Sequence, residues 1–244
     1  MTSHQSRICK GCWQQMHLPV PLRGLASVPF RLFGIRPSRM NPNTCTVCEL
    51  MFTRVMKTRK ITIDATVLFA DLRGYTSLSQ SQSPEAMSSL LDAFYDESAS
   101  AIWECDGLLN KTIGDAVMAV FNFPIRRGDH TRQAVLAART IQERWQARRE
   151  ALAAPLGLAG SDLGIGVGIH CGELSFGEFG RSHRDLTAIG TVVNTASRAQ
   201  SAAAAGEILL TEAVHERAAS ELSGSRAREY NLKGFEAPVT LYAA

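Results

Sequence analysis

An α/β domain of the α+β sandwich type, preceded by a small four-cysteine module, is predicted by three features of this 244-residue chain. Beyond residue 60, short apolar runs rich in β-formers alternate with helical periodicities, the pattern of one sheet covered by amphipathic helices. The charge is divided: residues 1–60 hold ten Lys or Arg against the single acid Glu49, so they carry +9 of a total of +3 and the rest carries −6. Four of the six cysteines fall in that basic part, as "CKGC" at 9–12 and "CTVC" at 45–48. The chain therefore divides into a basic module over 1–60 and a folded domain over 61–244, with the boundary in the basic, unpatterned stretch "TRVMKTRK".

With 45% hydrophobic residues the chain can bury one substantial core. No run reaches the roughly 18 apolar residues of a membrane span. The N-terminus "MTSHQSRICKGCW" lacks the apolar centre of a signal peptide. A soluble, cytoplasmic protein is expected.

The elements follow in order. "TVLFAD" (66–71) is a short apolar run that stops at an acid and the turn "DLRGYT", which suits a central buried strand. Ser83-Pro84-Glu85 starts a helix with Pro in its first turn, and Met87, Leu90, Leu91, Phe94, Tyr95, Ala101 and Ile102 give it one apolar face. Residues 108–113 and 116–121 read as two half-buried strands joined by Gly114-Asp115, a dipeptide suited to a tight hairpin. "DHTRQAVLAARTIQERWQARRE" is a second amphipathic helix with Ala134, Val135, Ala138, Ile141 and Trp145 inward; His130 at its start is read as a local cap or exposed. "LGIGVGIHCGEL" is a third buried strand, with His170 and Cys171 as core residues, and "GTVVNTASRAQSAA" opens a third helix. "EILLT" and "VTLYAA" complete the sheet.

A hairpin turn needs no acid, and Asp in a turn is ordinary turn chemistry. Yet Asp71 ends a buried strand, and Asp115 tips a hairpin that would lie beside it. Two carboxylates meeting at one sheet edge make a hard, oxygen-rich site for Mg²⁺ or Mn²⁺. The backbone N–H groups around Gly74 could cradle phosphate oxygens next to them. Asn194 and Arg198 are four apart, so a helix presents an amide and a guanidinium on one face. Physical reading alone ends at a possible metal and phosphate site.

The ordered set "VLFADLRGYT", "NKTIGDAVMAVF", "GIHCGELSFGEFG", "RDLTAIGTVVNTASR" and "NLKGFEAPVTLYAA" resembles the class III nucleotidyl cyclase catalytic domain over roughly residues 62–244. The resemblance implies a ferredoxin-like, palm-type sheet with helices. It implies a homodimer with ATP sites shared between two chains and two Mg²⁺ or Mn²⁺ ions in each. Residue by residue, Asp71 and Asp115 match the acids that bind both ions, and the carbonyl of Leu72 matches a further metal contact. Lys111 matches the purine-reading position: its ammonium can donate to N1 of adenine but not to the N–H of guanine. Guanylate cyclases typically have Glu there. Thr187 matches the second base-reading position, where many members have Asp and subgroup IIIb has Thr. A hydroxyl can accept from the adenine amino group and can also donate, so it excludes GTP less strictly. Asn194 and Arg198 match the pair that orients the ribose and meets charge at the α-phosphate. Lys233 matches a contact to the terminal phosphates.

The implied activity is that of an adenylate cyclase making 3′,5′-cyclic AMP and pyrophosphate by intramolecular phosphoryl transfer. Two other readings stay open. One is a catalytically silent nucleotide-binding relay, against which the complete residue set argues. The other is a metal-stabilised nucleic-acid or anionic-surface module at the N-terminus with the cyclase-like region as its dimeriser, for which no base-reading pattern exists.

Cys9, Cys12, Cys45 and Cys48 form two C-x-x-C knuckles 32 residues apart, a spacing that in a cytosolic chain favours a closed metal site over disulfides. Structural Zn²⁺ fits four thiolates and would order a segment too poor in periodic apolar residues to fold alone. An iron–sulfur cluster fits the same ligands.

Overall fold

Apolar alternation in the chain becomes one mixed sheet with helices on both faces. The computed structural model describes residues 6–180, 182, 184–222 and 224–244. β1 (Ile61–Arg73) is central: it pairs antiparallel with β3 (Ala116–Phe121) on one side and with β4 (Gly164–Phe179) on the other. β2 (Leu108–Ile113) lies outside β3. Beyond β4 come β6 (Ile208–Thr211), parallel to it, then β8 (Val239–Ala243) and β7 (Arg226–Tyr230). β5 (Asp185–Ile189) pairs with the far half of β4. Strands β1 to β4, with α5 (Pro84–Glu104) and α6 (His130–Ala153) as crossovers, follow the β-α-β-β-α-β order of a ferredoxin-like sheet.

The two faces bury different clusters. Leu68, Ala70 and Leu72 of β1 join Val117, Ala119, Phe121 and the inner sides of α5 and α6, with Phe94 edge-on to Trp145. Val67 and Phe69 point the other way, with Met118, Val120, Phe176 and Val192 and Ala196 of α7 (Thr191–Ala202). The glycines of "GIGVGIH" explain how α7 fits. Ile165, Val167 and Ile169 fill the α5–α6 side, and the glycines face α7, where a Cβ on Gly168 would stand inside the backbone of Ala196 and Gln200. The last helix, α8 (Glu212–Arg217), closes the far end over β6 and β8.

The N-terminal residues form a compact module of α1 (Lys10–Met16), α2 (Val28–Leu32) and α3 (Thr46–Thr58). "TRVMKTRK", read as unpatterned, is largely the end of α3; its Met56 is buried against the sheet while Val55 stays exposed, so the apolar stripe is too narrow to show as a period. Module and sheet are joined at the corner between α5 and β2. Asp106 there is 2% exposed and has φ 61°. Its carboxylate accepts from Lys10 Nζ (2.6 and 2.7 Å), Arg127 Nη1 (2.8 Å) and Asn43 Nδ2 (3.1 Å). Asn41 Nδ2 donates to Gly107 O (2.8 Å), and Trp103 Nε1 donates to Met40 O (2.9 Å).

His130 departs from its reading as a cap or exposed residue: it is 6% exposed, and its Nδ1 lies 2.8 Å from the buried Thr66 Oγ1. The first turn of α6 sits on the sheet, so a residue that sequence places at a helix tip is roofed by β1. His170 is half-buried against Thr211 Oγ1 (2.7 Å), and Cys171 is buried, as core residues.

Burial lowers the pKa of both His130 and His170 from the ordinary imidazole range. Below about pH 6.5 the unfolded chain therefore binds more protons than the folded one, so stability is full above that pH and falls as the pH drops through it. Melting curves recorded from about pH 8 to 5.5 should show this decline, and His130→Gln should make it shallower. Asp106→Asn keeps the shape and tolerance of positive φ but removes the charge facing Lys10 and Arg127. It should cost about 2 kcal/mol in denaturant titration, and limited proteolysis should then release the residues before Ile61 sooner.

Candidate functional site

Strand alternation puts the first candidate acid on the α7 side of the sheet. Because Val67 and Phe69 face that side, so do Asp71 and Arg73. Asp71 is half-buried, opposite Ala116 on β3 and Gly166 on β4. Arg73 Nη1 lies 3.3 Å from Asp71 Oδ1, and the same guanidinium donates to the carbonyl of Gln200 on α7. It crosses Gly166 at a point where a Cβ would collide with it. Asp115 is half-buried on the β2–β3 turn, where only Gly114 has positive φ (59°), the two-residue turn form with glycine first. The tip is held twice: Leu72 N–H donates to Asp115 O (3.1 Å), and the Tyr95 hydroxyl of α5 donates to Gly114 O. Burial, then the neighbouring Asp115, push the Asp71 carboxyl up to about 6, while Arg73 opposes them. The corner thus holds two crowded carboxylates that gain from added positive charge.

Lys111 reaches the same side through an irregularity. Leu108 pairs with Val120 and Leu109 with Ala119, but Lys111 pairs with Met118: a β-bulge at Asn110 shifts the register by one. Met118 faces α7, so Lys111 does too; in unbroken alternation it would point into the α5–α6 core. Its ammonium pairs with Asp185 of β5. Thr187, two residues along β5, is 9% exposed. Asn110 joins the strands: Nδ2 donates to Leu186 O (3.0 Å), and Oδ1 accepts from the Thr187 hydroxyl (3.2 Å) and from Ala188 N–H (3.3 Å). Lys111 and Thr187 therefore lie on strands joined by the Lys111–Asp185 pair and by Asn110.

On α7, Val192, Ala196 and Ala199 face the sheet, which leaves Asn194 exposed and Arg198 half-buried one turn apart. Gly74 has φ 77° and precedes α4 (Tyr75–Leu78), a single turn whose first N–H groups have no helical acceptor. Lys233 is exposed in the turn between β7 and β8, beside the buried Leu232. Sequence reading missed Arg73, Asn110 and Asp185. The only available signal was Asn110, a polar residue where alternation leaves no clear place for it.

Cys9 and Cys45 cap α1 and α3 in the same way: each sulfur accepts from the backbone N–H three residues on, Cys12 and Cys48, at 3.4 Å. All four Sγ atoms lie within 4.8 Å of one another, with nearest separations of 3.4 to 3.6 Å. Zn–S bonds of about 2.3 Å give a tetrahedral edge of about 3.8 Å. Leu22, Val20 and Ile35 enclose the group.

Comparison with known proteins identifies relatives. The family model described as the adenylate and guanylate cyclase catalytic domain matches residues 58–243. Adenylate cyclase of Anabaena cylindrica is 35% identical over 153 residues, 61% of this chain and 30% of that protein. Adenylate cyclase 1 of Rhizobium meliloti is 32% identical over 136 residues, 55% of this chain and 20% of that protein. The chain thus spans less than a third of the length of these curated relatives. Among solved structures, the adenylyl cyclase CyaB from P. aeruginosa superposes with a TM-score of 0.68 at 31% identity, covering 76% of this chain and 95% of that one. The guanylyl cyclase Cya2 gives 0.69 at 26% identity, covering 75% and 92%. With a ferredoxin-like sheet, an acid near the end of its central strand, a second on the neighbouring hairpin turn and a family match over most of its length, the chain belongs to the adenylate and guanylate cyclase catalytic-domain family.

Proposed function

We propose that the protein is an adenylate cyclase that converts ATP to 3′,5′-cyclic AMP and pyrophosphate. Relatives of both base specificities share this fold, so the argument turns on the base-reading pair. The observation that supports it is the link between β2 and β5: Lys111 pairs with Asp185, two residues before Thr187, and the Thr187 hydroxyl bonds Asn110, next to Lys111. Adenine offers an acceptor at N1 and a donor at its amino group, the complement of the base-reading pair. Guanine offers N1–H to the ammonium, which cannot accept it.

Asp71 and Asp115, with the carbonyl of Leu72, would hold two Mg²⁺ or Mn²⁺ ions. The crowding that raises the Asp71 carboxyl to about 6 supports this fit. Bound there, the ions would acidify the ribose 3′-hydroxyl and neutralise the triphosphate. Asn194 orients the ribose. Arg198 meets negative charge that grows at the α-phosphate in the transition state, an effect worth about 3 kcal/mol in comparable oxyanion sites. Lys233 and the N–H groups after Gly74 contact the outer phosphates. Within one chain, Asp71 is countered by Arg73 and Lys111 by Asp185, so a member of each half-set pairs locally. This supports sites completed by a second copy, the acids of one chain facing Lys111, Asn194 and Arg198 of the other. ATP and its divalent ions as reactants favour a cytoplasmic setting.

The four-cysteine group is read as a metal centre in the 1–60 module. The close approach of the sulfurs supports a single tetrahedral Zn²⁺, since a multi-iron cluster places sulfide and further iron between its thiolates. Lys10, next to Cys9, bonds the buried Asp106 five residues before Lys111, a direct route from this centre to the base-reading strand.

Purified protein should make cyclic AMP from ATP only with Mg²⁺ or Mn²⁺, and Asp71→Asn or Asp115→Asn should lower the rate at least about a hundredfold. Mixing inactive Asp71→Asn with inactive Arg198→Ala should restore about a quarter of the wild-type rate, since half the dimers are mixed and each keeps one whole site. No recovery despite demonstrated mixed dimers would refute a shared site. Metal analysis should find one zinc per chain; Cys12→Ser should lose it and lower cyclase output. Iron with sulfide would point to a cluster, and metal-free protein of full activity would remove the centre from the scheme.

A further inference from the structure

A threonine hydroxyl is ambiguous as a reader of bases, because it can donate or accept. Accepting suits the 6-amino group of adenine; donating suits the 6-oxo group of guanine. The surroundings of Thr187 remove the ambiguity. Among the described residues its hydroxyl has two neighbours within hydrogen-bond reach, Asn110 Oδ1 at 3.2 Å and Ala188 O at 3.3 Å. Both are acceptors. Asn110 Oδ1 is the nearer and reaches over from another strand, whereas Ala188 O belongs to the adjoining residue, so Asn110 takes the single proton and lone pairs remain for a ligand.

The identity of the Asn110 oxygen is fixed by the backbone. Nδ2 faces the carbonyl of Leu186 at 3.0 Å, and Oδ1 faces the N–H of Ala188 at 3.3 Å. Turning the amide over would set oxygen against oxygen and N–H against N–H, so β5 itself holds the acceptor toward Thr187. Asn110 can do this because it is the bulged residue: released from ladder alternation, its side chain reaches across to β5. The same bulge turns Lys111 to the α7 side, so one local irregularity sets both the donor and the acceptor of the base-reading edge.

We propose that Asn110 is a positioning residue for base choice: by accepting the Thr187 proton it makes that threonine a fixed acceptor, the neutral counterpart of an aspartate, and so selects 6-aminopurine nucleotides over 6-oxopurine ones. This rests on the cyclase reading and deepens it.

The test compares turnover of ATP, GTP and purine riboside triphosphate, which has the adenine ring without its amino group. The wild-type protein should use ATP about tenfold better than the deaminated analogue, the effect of one hydrogen bond. Asn110→Ala leaves the proton only the longer contact to Ala188 O, so the hydroxyl can turn to donate to a ligand, and the ATP to GTP preference should fall about tenfold. Adding Thr187→Asp to Asn110→Ala should bring the preference back, because a carboxylate accepts without help. Loss of stability alone would lower both nucleotides together, so an unchanged ratio in folded Asn110→Ala overturns the proposal. Equal use of ATP and the analogue by wild-type protein overturns it without any variant. Wild-type protein that turns over neither ATP nor GTP would instead refute the cyclase reading on which the proposal stands.

Discussion

The antiparallel pairing of β1 with β4 over all thirteen residues of β1 is the constraint on which the other features depend. A strand flanked on both sides cannot slip by one position without exchanging its two faces, and here each face has a different duty. One set of side chains fills the core beneath α5 and α6, whose Leu68, Ala70 and Leu72 are almost wholly buried. The other set begins as core, at Val67 and Phe69, and ends as chemistry, at Asp71. A slip would place a carboxyl group in the hydrocarbon core, at a cost comparable to the whole stability of a domain this size. Register and site are thus specified by the same apolar residues.

The sheet also governs what the N-terminal module can influence. Asp106 is buried with cations from two directions, Lys10 from the cysteine-bearing helix and Arg127 from the segment before α6. Taking one such partner away leaves a buried charge uncompensated. The module is therefore part of the electrostatic balance of the sheet. Its polar contacts gather at the corner where α5 hands over to β2.

Much of this was legible in the sequence. The hairpin falls at 108–113 and 116–121 because Gly114 supplies the backbone freedom that a two-residue turn demands. The start of α5 is written in Ser83, whose side chain accepts from Ala86 N–H, and in Pro84. What escaped was non-local. In "LLNKTI" the misplaced polar Asn110 is the one hint of a bulge, and what it serves is out of local view: Asn110 finds partners on a strand some 76 residues away. The strand at 185–189 went unassigned in the sequence, since its partner is the far half of β4. The order of the first 60 residues was illegible for a further reason: its enclosed centre is made of cysteines and a few aliphatics, without the periodic apolar stripe that sequence reading relies on.

The glycine at 168 has a mechanical meaning beyond packing. A helix resting on side chains rides on a compliant layer, because rotamers yield. At Gly168 α7 rests on the strand backbone itself, at Ala196 and Gln200, as a machined part rests on its seat. The height of Asn194 and Arg198 above the sheet is set by that clearance, one hydrogen atom deep. Backbone cannot rearrange as a side chain does, so the amide and the guanidinium move with the sheet as one rigid fitting, and any bending of β4 is delivered to both at once.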